Sequence, residues 1–174
     1  MDYTFFDLKD NFSAPGGTVE ELAERLNRIL KEKRMFISAS ESFTAGRISS
    51  AIVSVPGASA VFHEGIVSYS NASKEKRLGV KKRTLKNFGA VSAECCAEMA
   101  SGLIASGGCD IAISSTGIAG PSNDGTDKPV GLCYLGIATR SYVKIYGYKL
   151  NGTREEITET AVRLALSNAV SEIE

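Results

Sequence analysis

Short apolar runs alternate along this chain with segments whose apolar residues recur at helical spacing, and that alternation leaves few folds open. Thr18-Val19-Glu20-Glu21 is a capping box that opens a helix through Leu22, Leu26, Ile29 and Leu30. The apolar run of residues 35–39 predicts a strand, and a second helical pattern follows from Phe43 through Ile48, Ala51, Ile52 and Val55, ending near Pro56-Gly57. A strand is expected over residues 65–69, then a polar segment over 70–77, then a helix from Ser92 to about Ser106. Residues 110–116 read as a buried strand that runs into a glycine-rich loop over 117–125. Residues 131–139 and 142–150 form a hairpin through Arg140-Ser141, and Thr153-Arg154-Glu155-Glu156 is a second capping box for a C-terminal helix. This order predicts an α/β protein: a layered α/β/α sandwich whose mixed sheet includes one antiparallel hairpin. Residues 1–17, closing on Pro15-Gly16-Gly17, are expected to form an N-terminal arm, and residues 18–174 a single domain large enough to bury a substantial core.

Composition removes several function classes. Lysine and arginine balance aspartate and glutamate at a formal net charge of +0, so no basic nucleic-acid surface is expected. No apolar run reaches the roughly 18 residues of a membrane span, and the first residues lack the basic start of a signal peptide. The expectation is a cytoplasmic protein without membrane or nucleic-acid partners. Cys95, Cys96, Cys109 and Cys133 have no Cys-x-x-Cys spacing and read as buried thiols of a reducing compartment. His63 is the single histidine, which leaves little material for a Ser-His-Asp triad or a histidine metal site.

In open α/β sheets, sites form beyond the carboxyl ends of strands. Three such ends here are rich in polar residues and glycine: Ser40 to Gly46, Tyr69 to Lys74, and Thr116 to Gly125. The first has two readings. Ser40 or Ser42 caps the following helix, or a serine is set beside the electropositive first turn to become an alkoxide or to hold an anion. Lys74 lies in the charged run Lys74-Glu75-Lys76-Arg77, which a solvated helix face also explains, and Tyr69 at a strand end also fits packing. The loop after Thr116 lacks the Gly-Lys-Ser/Thr of a Walker motif. Arg154 at a helix start opposes the macrodipole's preference.

Six segments in order resemble the CinA C-terminal domain family. Ser40-Glu41-Ser42-Phe43-Thr44-Ala45-Gly46 resembles its Ala-Glu-Ser-Cys-Thr-Gly-Gly motif. Val55-Pro56-Gly57-Ala58-Ser59 is similar to its Val-Pro-Gly-Ser-Ser, and Tyr69-Ser70-Asn71-Ala72-Ser73-Lys74 to its Tyr-Ser-Asn-x-x-Lys. Gly89-Ala90-Val91-Ser92, Thr116-Gly117-Ile118-Ala119-Gly120-Pro121 and Lys128-Pro129-Val130-Gly131 complete the set, and the resemblance spans about residues 18–172.

The family contains nicotinamide-nucleotide amidohydrolases. The resemblance therefore implies hydrolysis of the carboxamide of nicotinamide mononucleotide, as small-molecule substrate, to nicotinic acid mononucleotide and ammonia. It implies Ser42 as nucleophile, with Lys74 and Tyr69 as its catalytic partners through an acyl-enzyme. It also implies ligand contacts from Thr44, Gly46, Asn71, Thr116, Gly117, Gly120 and Arg154, and neither a metal nor an organic cofactor. Two departures flank Ser42: Phe43 stands where the family has cysteine, and Ala45 where it has the first of two glycines. Their bulk leaves room for a related carboxamide as substrate, or for a pyridine-nucleotide-binding domain without catalysis. The chain reads as a stand-alone form without the family's larger N-terminal domain, and so compact a domain is expected to form a homo-oligomer.

Overall fold

The computed structural model describes residues 1–10, 15–123 and 125–174. Six strands form one mixed sheet: β1 (Asp2–Lys9), β2 (Ile37–Glu41), β3 (Phe62–Val67), β4 (Ile111–Gly117), β5 (Leu132–Thr139) and β6 (Tyr142–Lys149). Their order is β1-β6-β5-β4-β2-β3. Parallel pairing joins β4 to β2 and β2 to β3, while β4–β5 and β5–β6 are antiparallel. The expected hairpin is β5–β6, and the layered α/β/α sandwich is the observed architecture.

The helices are α1 (Val19–Lys33), α2 (Arg47–Val53), α3 (Asn71–Leu78), α4 (Lys82–Phe88), α5 (Ala93–Ser106) and α6 (Arg154–Ile173). Alternation along the central strands splits the core in two, because successive strand side chains face opposite ways. Ile111 and Ile113 of β4 pack with Leu26 and Leu30 of α1, Ile48 and Ile52 of α2, and Ala165 of α6. Ala112, between them, packs on the other face with Cys96, Met99 and Leu103 of α5 and Leu78 of α3. Both capping boxes form, with Thr18 and Thr153 accepting from the amides of Glu21 and Glu156. Among the described residues no helix is long and apolar enough to cross a membrane.

Three elements differ from expectation. The second helix begins at Arg47, four residues after the apolar pattern suggested, because Ala45 (φ 53°) and Gly46 (φ 94°) take left-handed conformations that a helix cannot include. The short α4 was not anticipated, since its apolar residues are few. The arm of residues 1–17 is partly a strand: Asp2–Lys9 pairs in parallel with β6 as the sheet's outer edge. All eight of its residues are exposed, so no buried face advertised the strand. Arg163 of α6 donates to the carbonyls of Pro15 and Gly17, which anchors the end of this segment. Residues 11–14 of the expected arm lie outside the described residues, as does Asp124 of the expected loop.

Candidate active site

The carboxyl ends of β2, β3 and β4 lie side by side, and hydrogen bonding continues one residue past β2 on both sides. Ser42 N donates to Ser115 O at 3.0 Å, and Ser68 N donates to Glu41 O at 2.8 Å. These bonds fix Ser42 and Ser68 as neighbours at the rim. From Ser68 the chain turns into α3, capped by Ser70, whose hydroxyl accepts from Ser73 N at 3.1 Å. One turn in, Lys74 sends its side chain back to the strand ends. The amine lies 3.0 Å from Ser42 Oγ, 2.6 Å from Ser68 O and 3.4 Å from Tyr69 O.

Lys74 is 1% exposed, so it belongs to no solvated helix face. The amine donates to all three oxygens; once neutral, it would keep two N–H groups for the two carbonyls and turn its lone pair to the Ser42 hydroxyl. Desolvation lowers the Lys74 pKa, opposed only by Cys95. Burial in turn pushes the Cys95 thiol up to about 11, so Cys95 supplies no counter-charge at neutral pH. Among the described residues no carboxylate lies within ion-pair distance of Lys74.

The dyad opens into a pocket of about 240 Å³. Phe43, Tyr69, Ala90 and Val91 line one part, residues 116–120 with Ser122 and Asn123 another, and Arg154 brings a guanidinium. Of the residues singled out in the sequence, the structure thus gathers Ser42, Lys74, Tyr69, Thr116, Gly117, Gly120 and Arg154 around one cavity. Their contacts refine what each can do. Lys74 meets Tyr69 through the main-chain carbonyl, while the Tyr69 side chain is 64% exposed at the pocket mouth. Thr116 Oγ1 donates its single proton to Ala90 O at 2.7 Å, so its hydroxyl can accept from a ligand but cannot donate to an oxyanion. Arg154 donates to Gly120 O at 2.6 Å, joining the start of α6 to the loop after β4.

Three expected ligand contacts are corrected. Thr44 is wholly buried, and its hydroxyl donates to Glu41 Oε2 at 2.7 Å. Gly46 is the N-cap of α2, and its amide also goes to Glu41, at 3.0 Å. Asn71 opens α3 on the exposed surface and lies outside the pocket lining. The capping reading of the first motif fails: neither Ser40 nor Ser42 caps α2, because the Glu41 carboxylate holds that helix's opening amides.

Sequence reasoning missed Glu41 and two other features. Among the described residues the Phe43 and Thr44 amides, directly after Ser42, donate to no protein acceptor. Lys128 donates to Phe88 O and Val91 O, both at 2.6 Å, clasping the loop before β5 to the segment that supplies Ala90. Glu41 and Lys128 stand in two of the six motifs, yet nothing in their types or spacing tells an internal tether from a surface charge.

The family model of the CinA C-terminal domain matches residues 19–173. A putative competence-damage inducible protein of Caldicellulosiruptor saccharolyticus is 47% identical over 147 residues, covering 84% of this chain and 36% of that protein. A CinA-like protein of Kosmotoga olearia is 48% identical with the same coverage of 84% and 36%. The chain thus spans a little over a third of the curated relatives it matches. Among solved structures, the competence/damage inducible protein CihA from Agrobacterium tumefaciens superposes with a TM-score of 0.86 at 36% identity, over 92% of this chain and 98% of that one. A CinA superfamily protein from Klebsiella pneumoniae gives 0.87 at 28% identity, over 90% and 98%.

Proposed function

This chain belongs to the CinA C-terminal domain family, and from that premise we propose that it is an amidohydrolase that converts the carboxamide of nicotinamide mononucleotide to the carboxylate and ammonia. The observation that carries the reading is the contact of a buried lysine amine, its pKa lowered by desolvation, with a serine hydroxyl at 3.0 Å. An amide is a weak electrophile, so the reaction needs an activated nucleophile, an oxyanion site and a proton for the leaving nitrogen. Neutral Lys74 takes the Ser42 proton as Oγ attacks the carboxamide carbon. The tetrahedral oxyanion forms beside the uncommitted amide of Phe43, which lines the pocket. Lys74, now an ammonium, gives its proton to nitrogen, the C–N bond breaks and ammonia leaves. Water attacks the acyl ester with Lys74 again as base, and the acid departs as Ser42 regains its proton.

Arg154 is the cation of the pocket lining suited to a ligand phosphate, and the exposed Tyr69 ring can cover a flat heterocycle. The Tyr69 hydroxyl has no contact with Lys74 here, so its part in the chemistry is to meet the ligand. The test is ammonia release from nicotinamide mononucleotide by the purified protein and by Ser42→Ala. The reading requires turnover in the first and its loss in the second; equal rates would refute it.

A further inference from the structure

Glu41 is fully buried and its carboxylate accepts five hydrogen bonds. Oε2 receives Thr44 Oγ1 at 2.7 Å, Gly46 N at 3.0 Å and Ile48 N at 3.1 Å. Oε1 receives Ser49 N at 2.8 Å and Ser49 Oγ at 2.7 Å. A carboxylate offers about four lone-pair sites, so this one has no capacity left to take a proton from Ser42. Every donor follows Ser42 in the chain. The main chain leaves Glu41, passes through Ser42 and the left-handed Ala45 and Gly46, and is drawn back onto the Glu41 side chain. That closed ring holds Ala45 in a conformation a non-glycine residue seldom adopts. The Thr44 hydroxyl donates to Glu41, so the Ser115 hydroxyl, 2.6 Å away, donates to Thr44 and ties the ring to β4. The Glu41 carbonyl accepts from Ser68 N, and the Ser68 carbonyl accepts from the Lys74 amine.

We infer that Glu41 is a positioning residue: its carboxylate fixes the turn of residues 42–46 so that the Ser42 hydroxyl meets the Lys74 amine, and the ligand never touches it. The opening amides of α2 are committed to this internal anion, so a substrate's anionic group is held elsewhere. The inference rests on the reading of Ser42 as nucleophile.

Glu41→Gln keeps the shape but turns an N–H₂ group toward protein donors. Its test is the rate at which a fluorophosphonate labels Ser42, together with kcat and KM for nicotinamide mononucleotide, each per site titrated by the label. Labelling rate and kcat should both fall by roughly ten- to a hundredfold, with KM nearly unchanged, since misplacement of about 1 Å costs on that order. A purely structural role would lower the number of titrated sites and leave the rate per site intact. Wild-type labelling and kcat per site in folded Glu41→Gln would overturn the inference. Should that variant not fold, Thr44→Val and Ser49→Ala each remove one of the five bonds to Glu41, and wild-type labelling in both would overturn it equally. Wild-type protein that labels at Ser42 yet leaves nicotinamide mononucleotide intact would sink the substrate reading alone. Absence of labelling at wild-type Ser42 would sink both.

Discussion

Gly102 on α5 has no part in the pocket, yet its replacement by alanine is expected to disable the dyad. A Cβ at this position would lie 2.8 Å from the carbonyl carbon and 3.0 Å from Cα of Leu78, and would collide with Leu78 O. Ordinary contact begins at 3.4 Å, so relieving the carbonyl carbon alone takes about 0.6 Å, and the tighter collision with Leu78 O forces α3 and α5 further apart than that. The obstacle is backbone in the last turn of α3 and cannot rotate aside. Lys74 sits one turn earlier on the same helix, and its 3.0 Å contact with Ser42 is the distance that stretches. Crowding of this kind costs about 1–3 kcal/mol, partly offset by the better helix propensity of alanine, about 1 kcal/mol. The net loss of stability is therefore small, on the order of 0–2 kcal/mol. The rate should suffer more, by roughly ten- to a hundredfold, because catalysis depends on atomic placement more steeply than folding does. Ammonia release at saturating nicotinamide mononucleotide, beside thermal unfolding of the same sample, gives both quantities. A kcat within twofold of wild type in a folded Gly102→Ala protein would show that α3 is not held in register by this close approach.

The rate should rise with pH as Lys74 gives up its proton, with the acid limb centred below the ordinary lysine value of 10.5 because burial lowers its pKa. Lys74→Arg cannot deprotonate and should lose at least about a hundredfold in kcat/KM, measured across the same pH series. Tyr69→Phe keeps the main-chain carbonyl that Lys74 contacts, so the acid limb should stay where it is; displacement of that limb would mean the phenol holds the lysine after all. Far from the pocket, Glu172 accepts from Lys144 at 2.7 Å and Tyr146 at 2.6 Å, and although burial pushes its pKa up, these bonds outweigh it and hold the value below 4.5. Because the folded value is depressed, this stability is present above the unfolded pKa and lost as pH falls through the folded one. Glu172→Gln should destabilise by about 1.5–3 kcal/mol at pH 7, with the gap to wild type closing in acid denaturation below 4.5.

Periodicity and punctuation in the sequence were enough for most of the fold. The capping boxes at Thr18 and Thr153, the buried run of β4 and the β5–β6 hairpin are local patterns, readable because each element's own residues define it. The strand ends that periodicity located drew attention to Ser42, Tyr69, Lys74 and Thr116, and resemblance gave them and Arg154 their roles. Local pattern failed where stabilisation comes from elsewhere in the chain. β1 buries no face of its own and exists through pairing with β6. Lys74 stands in a run that reads as solvated surface, and only the approach of β2, β3 and α5 around it strips away water and lowers its pKa. The resemblance implies Thr44 and Gly46 as ligand contacts. Instead they serve Glu41, whose five donors converge only once the turn is folded. The sequence by itself determined those strands and helices whose own residues carry a pattern, since such a pattern is written in residues a few positions apart. Tertiary structure alone decided which charges are buried and what they touch, because desolvation and hydrogen bonding depend on neighbours brought from distant parts of the chain.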